Sequence, residues 1–256
     1  MSTVSSPCDW IIERLGAKKP LFSIRINDGE MTQMFRAVPE GKELGTVVNP
    51  AWANWELGDA LNMMLLQMAV GADLDAILIG CSWNTPRVDA LGMGKFGPMV
   101  RACGLADSAN WCHEHWPLEG VIDGSTVRLL EHLKRGRKTV LVTCRRLADA
   151  AHCLRCPLIK APDEDSWHGR EGVYRTAKVF ASSGYTFLWC AGGGLKPTAW
   201  QLFKEFPQSN HIDLGHLFNG ALGLTDYGWL QRRDGPWYEP YFAPGGFRDW
   251  IVGVMP

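Results

Sequence analysis

The sequence predicts an α/β fold, a mostly parallel sheet with helices on both faces and an irregular aromatic C-terminal tail. Three observations carry this. Between Leu21 and about Gly220, short β-rich apolar runs alternate with longer segments of helical spacing. No internal repeat or low-complexity linker breaks the alternation. At 256 residues the chain is long enough for a substantial core and suits a single α/β domain. The expected organisation is one domain over residues 1–256, with a core of about 21–220 and a tail of 221–256 packed on it. In such a sheet, ligands sit at the carboxyl ends of the strands.

Taken in order, "LFSIRI" reads as the first strand and "NWELGDALNMMLLQMAV" as a helix, from its apolar spacing. "DAILIGCS" is a buried strand, and "PRVDALGMGKFGPMVRACG" a helix or helix pair interrupted by glycine. "DGSTVRLLEHLKRG" is a helix with an acid and serine at its start and basic residues before Gly136 at its end. "KTVLVTC" is a strand, "RLADAAHCL" a helix, "CPLIKAP" a short strand and "REGVYRTAKVFASSG" a helix ending in glycine. "YTFLWCAGGG" is a strand running into a glycine turn, "KPTAWQLFKEF" a helix with proline in its first turn, and "SNHIDLG" a further strand. The tail "DGPWYEPYFAPGGFRDW" reads as irregular, packed on the domain or over a site.

Composition narrows the function classes. Lys+Arg 26 against Asp+Glu 27 gives a formal net charge of -1, so no general grip on nucleic acid or an anionic membrane is expected. An anionic ligand must be held locally. No apolar run reaches the ~18 residues of a membrane span, and "MSTVSSPCDW" lacks the basic and apolar parts of a secretory signal, so a cytoplasmic location is expected. The eight cysteines are irregularly placed, with Cys153 and Cys156 as a single C-x-x-C, and read as reduced and structural. Twelve tryptophans are first a packing resource; some, such as Trp83, Trp167 or those of the tail, could be platforms for sugar rings.

Three segments could carry chemistry. In "RINDGE", Asp28 and Glu30 point to the same side if the backbone is still extended, and two carboxylates at a strand end are a partial shell for Mg²⁺ or Mn²⁺. Gly29 would leave room for a phosphate. Asn27 with Glu30 three residues on fits a helix capping box equally well. In "FLWCAGGGLKPTAW", Gly192, Gly193 and Gly194 between a strand and a helix let the backbone approach a ligand, and Lys196 and Thr198 could add a charge and a hydroxyl. A tight turn without a ligand explains the glycines too. It is neither a P-loop nor a dinucleotide fingerprint. In "HIDLGHLFNG", Asp213 and His216 could supply a metal ligand and a proton carrier, or only a helix cap and a buried histidine. Further polar groups are Trp83-Asn84, Arg87, Arg145-Arg146 and "APDEDSWHGR", from which an arginine could pair with a diphosphate; solvated loops are the plainer reading. In "WCHEHW", Cys112, His113 and His115 are too closely spaced to chelate zinc from one regular element.

Taken together, Arg25-Ile26-Asn27-Asp28-Gly29-Glu30, the glycine turn before Pro197-Thr198-Ala199 and "HIDLGH" resemble the GT-D type glycosyltransferases. That family carries R-[FY]-G-D-G-E near its amino terminus, a glycine turn with P-T-A, and a strand ending in D-[IL]-G-H. The resemblance spans roughly Leu21 to Gly220. It implies a Rossmann-like α/β, metal-dependent transferase that moves a sugar from a nucleotide sugar, such as a UDP-hexose, to a hydroxyl of a glycan or related acceptor. Asp28 and Glu30 would hold Mn²⁺ or Mg²⁺ on the diphosphate. Arg25, Asn27, Gly29, Gly192, Gly193, Gly194, Lys196 and Thr198 would line the donor, with His216 or Asp213 as ligand or acid/base. Two departures stand out: Asn27 replaces a glycine, and Leu195-Lys196 lengthens the turn before Pro197. The other classes compatible with the sequence are a carbohydrate-binding module and an S-adenosylmethionine-dependent methyltransferase. The latter wants its glycine loop after the first strand, and here the glycines come late.

Overall fold

A computed structural model describes residues 2–35, 54–71, 73–81, 96–105, 109–136, 138–163, 165–224 and 235–253. Trp83, Asn84, Arg87 and the first part of the glycine-interrupted helix lie outside the described residues.

The strands are β1 (Ser2–Thr3), β2 (Phe22–Ile26), β3 (Ile77–Cys81), β4 (Asn110–Cys112), β5 (Thr139–Thr143), β6 (Leu158–Lys160), β7 (Thr186–Cys190) and β8 (Asn210–Asp213). They form one sheet in the order β1-β4-β3-β2-β8-β7-β5-β6, and every pairing is parallel. The helices are α1 (Pro7–Gly16), α2 (Asp28–Phe35), α3 (Trp55–Gly71), α4 (Phe96–Ala102), α5 (Trp116–Ile122), α6 (Ser125–Gly136), α7 (Asp149–Leu154), α8 (Arg170–Ala181), α9 (Lys196–Glu205), α10 (Tyr238–Phe242) and α11 (Phe247–Gly253). The α/β class read from the alternation is the fold observed.

Strands buried on both faces read as near-continuous apolar runs, and β2, β3, β5 and β7 are buried at every position. Alternate residues feed two cores. Phe22, Ile24, Ile26, Ile77, Val140, Phe187 and Trp189 pack under α2, α3 and α9. Leu78, Leu141, Leu188 and Ile212 pack under α1, α5, α6 and α11 on the other face. The tail corrects the expectation of irregular chain: it forms α10 and α11, with Tyr241, Phe247 and Ile251 buried in the second core. The Tyr241 hydroxyl donates to the Leu217 carbonyl and accepts from the Ala221 amide, which ties the tail to the segment after β8. Strands β1 and β4 and helices α1 and α5 were not expected from the sequence. Among the described residues no helix is long and apolar enough to cross a membrane, and none of the cysteines forms a disulfide.

The central strands β2 and β8 position the site. After β2 the chain turns into α2, whose Met31 and Met34 enter the first core. After β8 it leaves to the opposite face, where Leu214, Leu217 and Phe218 enter the second. Diverging connections open a crevice at the carboxyl ends of two adjacent parallel strands, which is where ligands bind in open α/β sheets.

Candidate functional site

Four buried charges meet at this crevice: Arg25 from the end of β2, Glu30 from the first turn of α2, Lys196 at the start of α9 and Asp213 at the end of β8. Each is at most 8% exposed. Asp213 Oδ2 accepts the Arg25 backbone N–H at 3.0 Å, and Asp213 Oδ1 lies 3.4 Å from Arg25 Nε. Arg25 Nη1 donates to the Glu114 carbonyl just beyond β4 at 3.0 Å. Lys196 Nζ is 2.5 Å from Glu30 Oε1 and 3.4 Å from Asp213 Oδ2, and it donates to the Arg25 carbonyl. Two cations against two carboxylates, each with hydrogen-bond partners, is the arrangement that buried ions require.

Burial pushes the Asp213 carboxyl upward, but the charges of Lys196 and Arg25 and the hydrogen bonds from Arg25 outweigh it and hold it below the ordinary range. Asp213 is therefore a fixed anion. His216 stands one turn beyond, after Gly215. Desolvation, with the Arg25 charge adding to it, lowers its pKa to about 3, so it is neutral throughout physiological pH.

Of the two backbone alternatives for Asn27 to Glu30, extended strand end or capped helix, the structure takes the capped helix. The helix begins at Asp28, and Met31 N–H already bonds the Asn27 carbonyl at 3.0 Å. Asn27 is thus the N-cap, and Glu30 Oε2 reaches back to its backbone N–H at 3.2 Å, the second half of a capping box. Glu30 divides its two oxygens, one capping α2 and one binding Lys196. The side chain of Asp28 lies outside the described residues.

The three glycines have three uses within the protein. Gly192 has φ +72°, which needs glycine at the turn. A Cβ at Gly193 would lie 2.7 Å from Glu30 Oε1, so its absence seats that carboxylate. A Cβ at Gly194 would lie 2.4 Å from Ser166 Oγ and 2.5 Å from Trp167 N, so the loop before α8 closes on the turn there. Thr198 is buried in the first turn of α9, and Gly29 lies in the first turn of α2. A small cavity of about 20 Å³ lies between Ser23, Gly192, Lys196 and Asp213, room for roughly one water molecule.

Sequence reasoning missed two contributors. Gly215, with φ +52°, lets the guanidinium cross it: a Cβ there would lie 1.4 Å from Arg25 Nη2. "WCHEHW" falls at the carboxyl end of β4, where it supplies the Glu114 carbonyl and the pairs His113–Glu119 at 2.8 Å and His115–Glu114 at 3.4 Å. A glycine after D-L was the only available signal for the first, and a main-chain contact leaves none for the second. Trp167 is buried with the Arg170 guanidinium stacked 3.7 Å from its ring centroid, which occupies one face of the ring. Arg145 and Arg146 follow β5 as exposed residues on the same edge of the sheet.

Mn²⁺ or Mg²⁺ needs converging oxygens. Among the described residues no three His, Cys, Asp or Glu side chains gather to hold a metal ion. The oxygens that do converge, from Glu30, Asp213 and the Arg25 carbonyl, surround the Lys196 ammonium instead.

No family model matches the sequence, and no curated protein matches it. The fold does have counterparts among solved structures. A glycosyltransferase of domain of unknown function 1792 from Streptococcus sanguinis superposes with a TM-score of 0.53 at 14% identity, over 90% of this chain and 85% of that one. A second structure of that domain, described as a distinct glycosyltransferase fold, superposes at 0.53 with 12% identity, over 90% of this chain and 81% of its own. At this identity the likeness is one of fold, the fold that the motif resemblance implied.

Proposed function

We propose that this chain is a glycosyltransferase that takes a hexose from a nucleotide sugar and passes it to a hydroxyl of a glycan or related acceptor, with UDP-hexoses the first donors to test. The observation that supports this most is the meeting of Arg25, Glu30, Lys196 and Asp213 with the amino end of α9 at the β2/β8 crevice. The structural neighbours described as glycosyltransferases share the fold that builds this crevice.

Sugar transfer expels a nucleoside diphosphate, and its growing negative charge must be stabilised as the anomeric bond breaks. The α9 amino end and its N–H groups favour an anion. Arg25 carries five N–H donors, of which Asp213 and Glu114 accept two among the described residues, and its planar fork suits a phosphate. Lys196 adds an ammonium beside it. Burial, with the Arg25 charge adding to it, makes His216 a weak base at a pKa of about 3; an anionic donor beside Arg25 offsets the smaller, charge part of that depression and raises its basicity. Asp28 and Glu30 are the residues expected to carry Mn²⁺ or Mg²⁺, which when bound would act as a Lewis acid on the diphosphate. Because Glu30 already has a partner on each oxygen, no step is assigned to an ion here.

Thermal shift tests the reading. UDP, with and without Mn²⁺, is expected to raise the melting temperature. Stabilisation by S-adenosylmethionine or by free glycan, and not by UDP, would replace the proposal with the methyltransferase or the carbohydrate-binding reading.

A further inference from the structure

Lys196 holds a position usually associated with a different kind of cation. Its ammonium touches three oxygens from three separate elements: the Glu30 carboxylate of α2, the Arg25 carbonyl of β2 and the Asp213 carboxylate of β8. Carboxylate and carbonyl oxygens converging from several elements are the donor set a hard divalent ion takes. A lysine ammonium is a compact point charge with three donors, able to serve the same oxygens without coordination geometry.

The chain places this charge firmly. Leu195 is buried at 1% exposure and sits at the N-cap of α9, so the lengthened turn is anchored in the core. Pro197 then fixes the backbone in the first turn of α9, and Gly193 makes room for Glu30 to meet the ammonium. A divalent ion brought onto Glu30 Oε1 would have to displace Lys196 Nζ from 2.5 Å, or sit beside it against like charge in a buried site.

We infer that the Lys196 ammonium is the built-in cation of this site, standing where a divalent ion would otherwise bind, so that donor binding and transfer need no metal. The inference rests on the transferase reading for what the cation serves; the cation assignment itself can be tested without a nucleotide. Two of the three Lys196 protons go to Glu30 and Arg25 at hydrogen-bond distance, and the third faces Asp213 at 3.4 Å. That third proton is the one offered to a phosphate oxygen as charge builds on the leaving diphosphate.

The experiment compares the full-length protein with Lys196→Met, which keeps the length of the side chain and removes its charge. Each is titrated by calorimetry and followed by thermal shift with Mn²⁺ alone, then with UDP in EDTA and UDP in Mn²⁺. The wild type is expected to show no stabilisation by Mn²⁺ alone, and the same UDP shift with EDTA as with Mn²⁺. Lys196→Met is expected to melt lower and to regain about 3–5 °C with Mn²⁺ at tenfold excess over its Kd. Its UDP binding in EDTA should fall at least tenfold and return with Mn²⁺. UDP binding by the wild type that requires Mn²⁺, or Mn²⁺ binding stronger in the wild type than in Lys196→Met, would overturn the inference. If Lys196→Met does not fold, the wild-type comparison of EDTA with Mn²⁺ decides alone. If UDP stabilises neither protein, the transferase reading fails, while the Mn²⁺ titrations still decide which cation the oxygens hold.

Discussion

Replacing His211 with glutamine separates two causes of acid sensitivity. His211 is fully buried on β8, stacked on Phe187 with centroids 4.8 Å apart and planes 2° from parallel. Its Nδ1 accepts from Trp189 Nε1 at 3.1 Å, so the proton sits on Nε2 and goes to Ser209 Oγ at 3.0 Å. Ser209 Oγ in turn donates to the Phe206 carbonyl at 2.7 Å. A second ring proton would point at an indole N–H, and burial lowers the pKa to about 3. The unfolded value is about 6.5. The folded pKa is the lower one, so as pH falls through 6.5 the unfolded chain gains a proton that the native state refuses. Stability is full above 6.5 and is lost toward pH 3. The slope is about 1.4 kcal/mol per pH unit, or about 2 kcal/mol at pH 5 for each such histidine. His216, shifted the same way to about 3, doubles the effect to about 4 kcal/mol. His113 works in the opposite direction, since its hydrogen bond to Glu119 raises its pKa, but it is too exposed to weigh heavily. Urea unfolding at pH 7.5, 6 and 5 is the assay. His211→Gln, which has lost the ring stack, should be less stable at pH 7.5 and should lose only about half as much on acidification. Parallel pH slopes for the two proteins would refute the reasoning.

Two further substitutions probe the charge cluster. Gly215→Ala forces the Arg25 guanidinium away from a Cβ that would lie 1.4 Å from Nη2, which leaves Asp213 short of a partner. The expected loss is about 3–5 kcal/mol by urea melt, and a melting temperature unchanged from wild type would contradict the geometry. Glu30→Gln keeps an oxygen for the Asn27 cap but removes the carboxylate from Lys196. It should cost about 3 kcal/mol, leave the helical circular dichroism intact and weaken UDP binding at least about tenfold; unchanged UDP affinity would reduce Glu30 to a helix cap.

Much of this fold was legible because β2, β3, β5 and β7 are five-residue strands buried on both faces, apolar but for Ser23 and Arg25 in β2 and the end threonines of β5 and β7, and bounded by turns and helices of clear spacing. Strands of two and three residues, β1 and β4, are too short to show a period, and they are positioned by pairing with β3 and each other. Helix α1 carries an ordinary amino-terminal proline and buries Cys8 and Ile11, but it precedes the first long apolar run and so stood outside the alternation. At the site, the sequence singled out Arg25, Glu30, Lys196 and Asp213 but not how they meet. Arg25 and Asp213 lie 188 residues apart, and only the β2/β8 pairing brings them together. The capping contact of Glu30 was legible from its spacing to Asn27, whereas its second oxygen is engaged by Lys196, which arrives from 166 residues away. Glycine marks close approach without naming what approaches; Gly193 and Gly194 are approached within the protein by Glu30 and the Ser166–Trp167 loop, contacts that no local pattern announces.

Sugar transfer is measured on a panel of nucleotide sugars incubated with the protein, in EDTA and in Mn²⁺, with release of nucleoside diphosphate as the readout. Hydrolysis needs no knowledge of the acceptor. UDP is expected to be released from at least one UDP-hexose, at similar rates in EDTA and Mn²⁺, and at least about 100-fold slower in Glu30→Gln. Absence of diphosphate release from every nucleotide sugar under both conditions, in a protein shown to be folded, would contradict it.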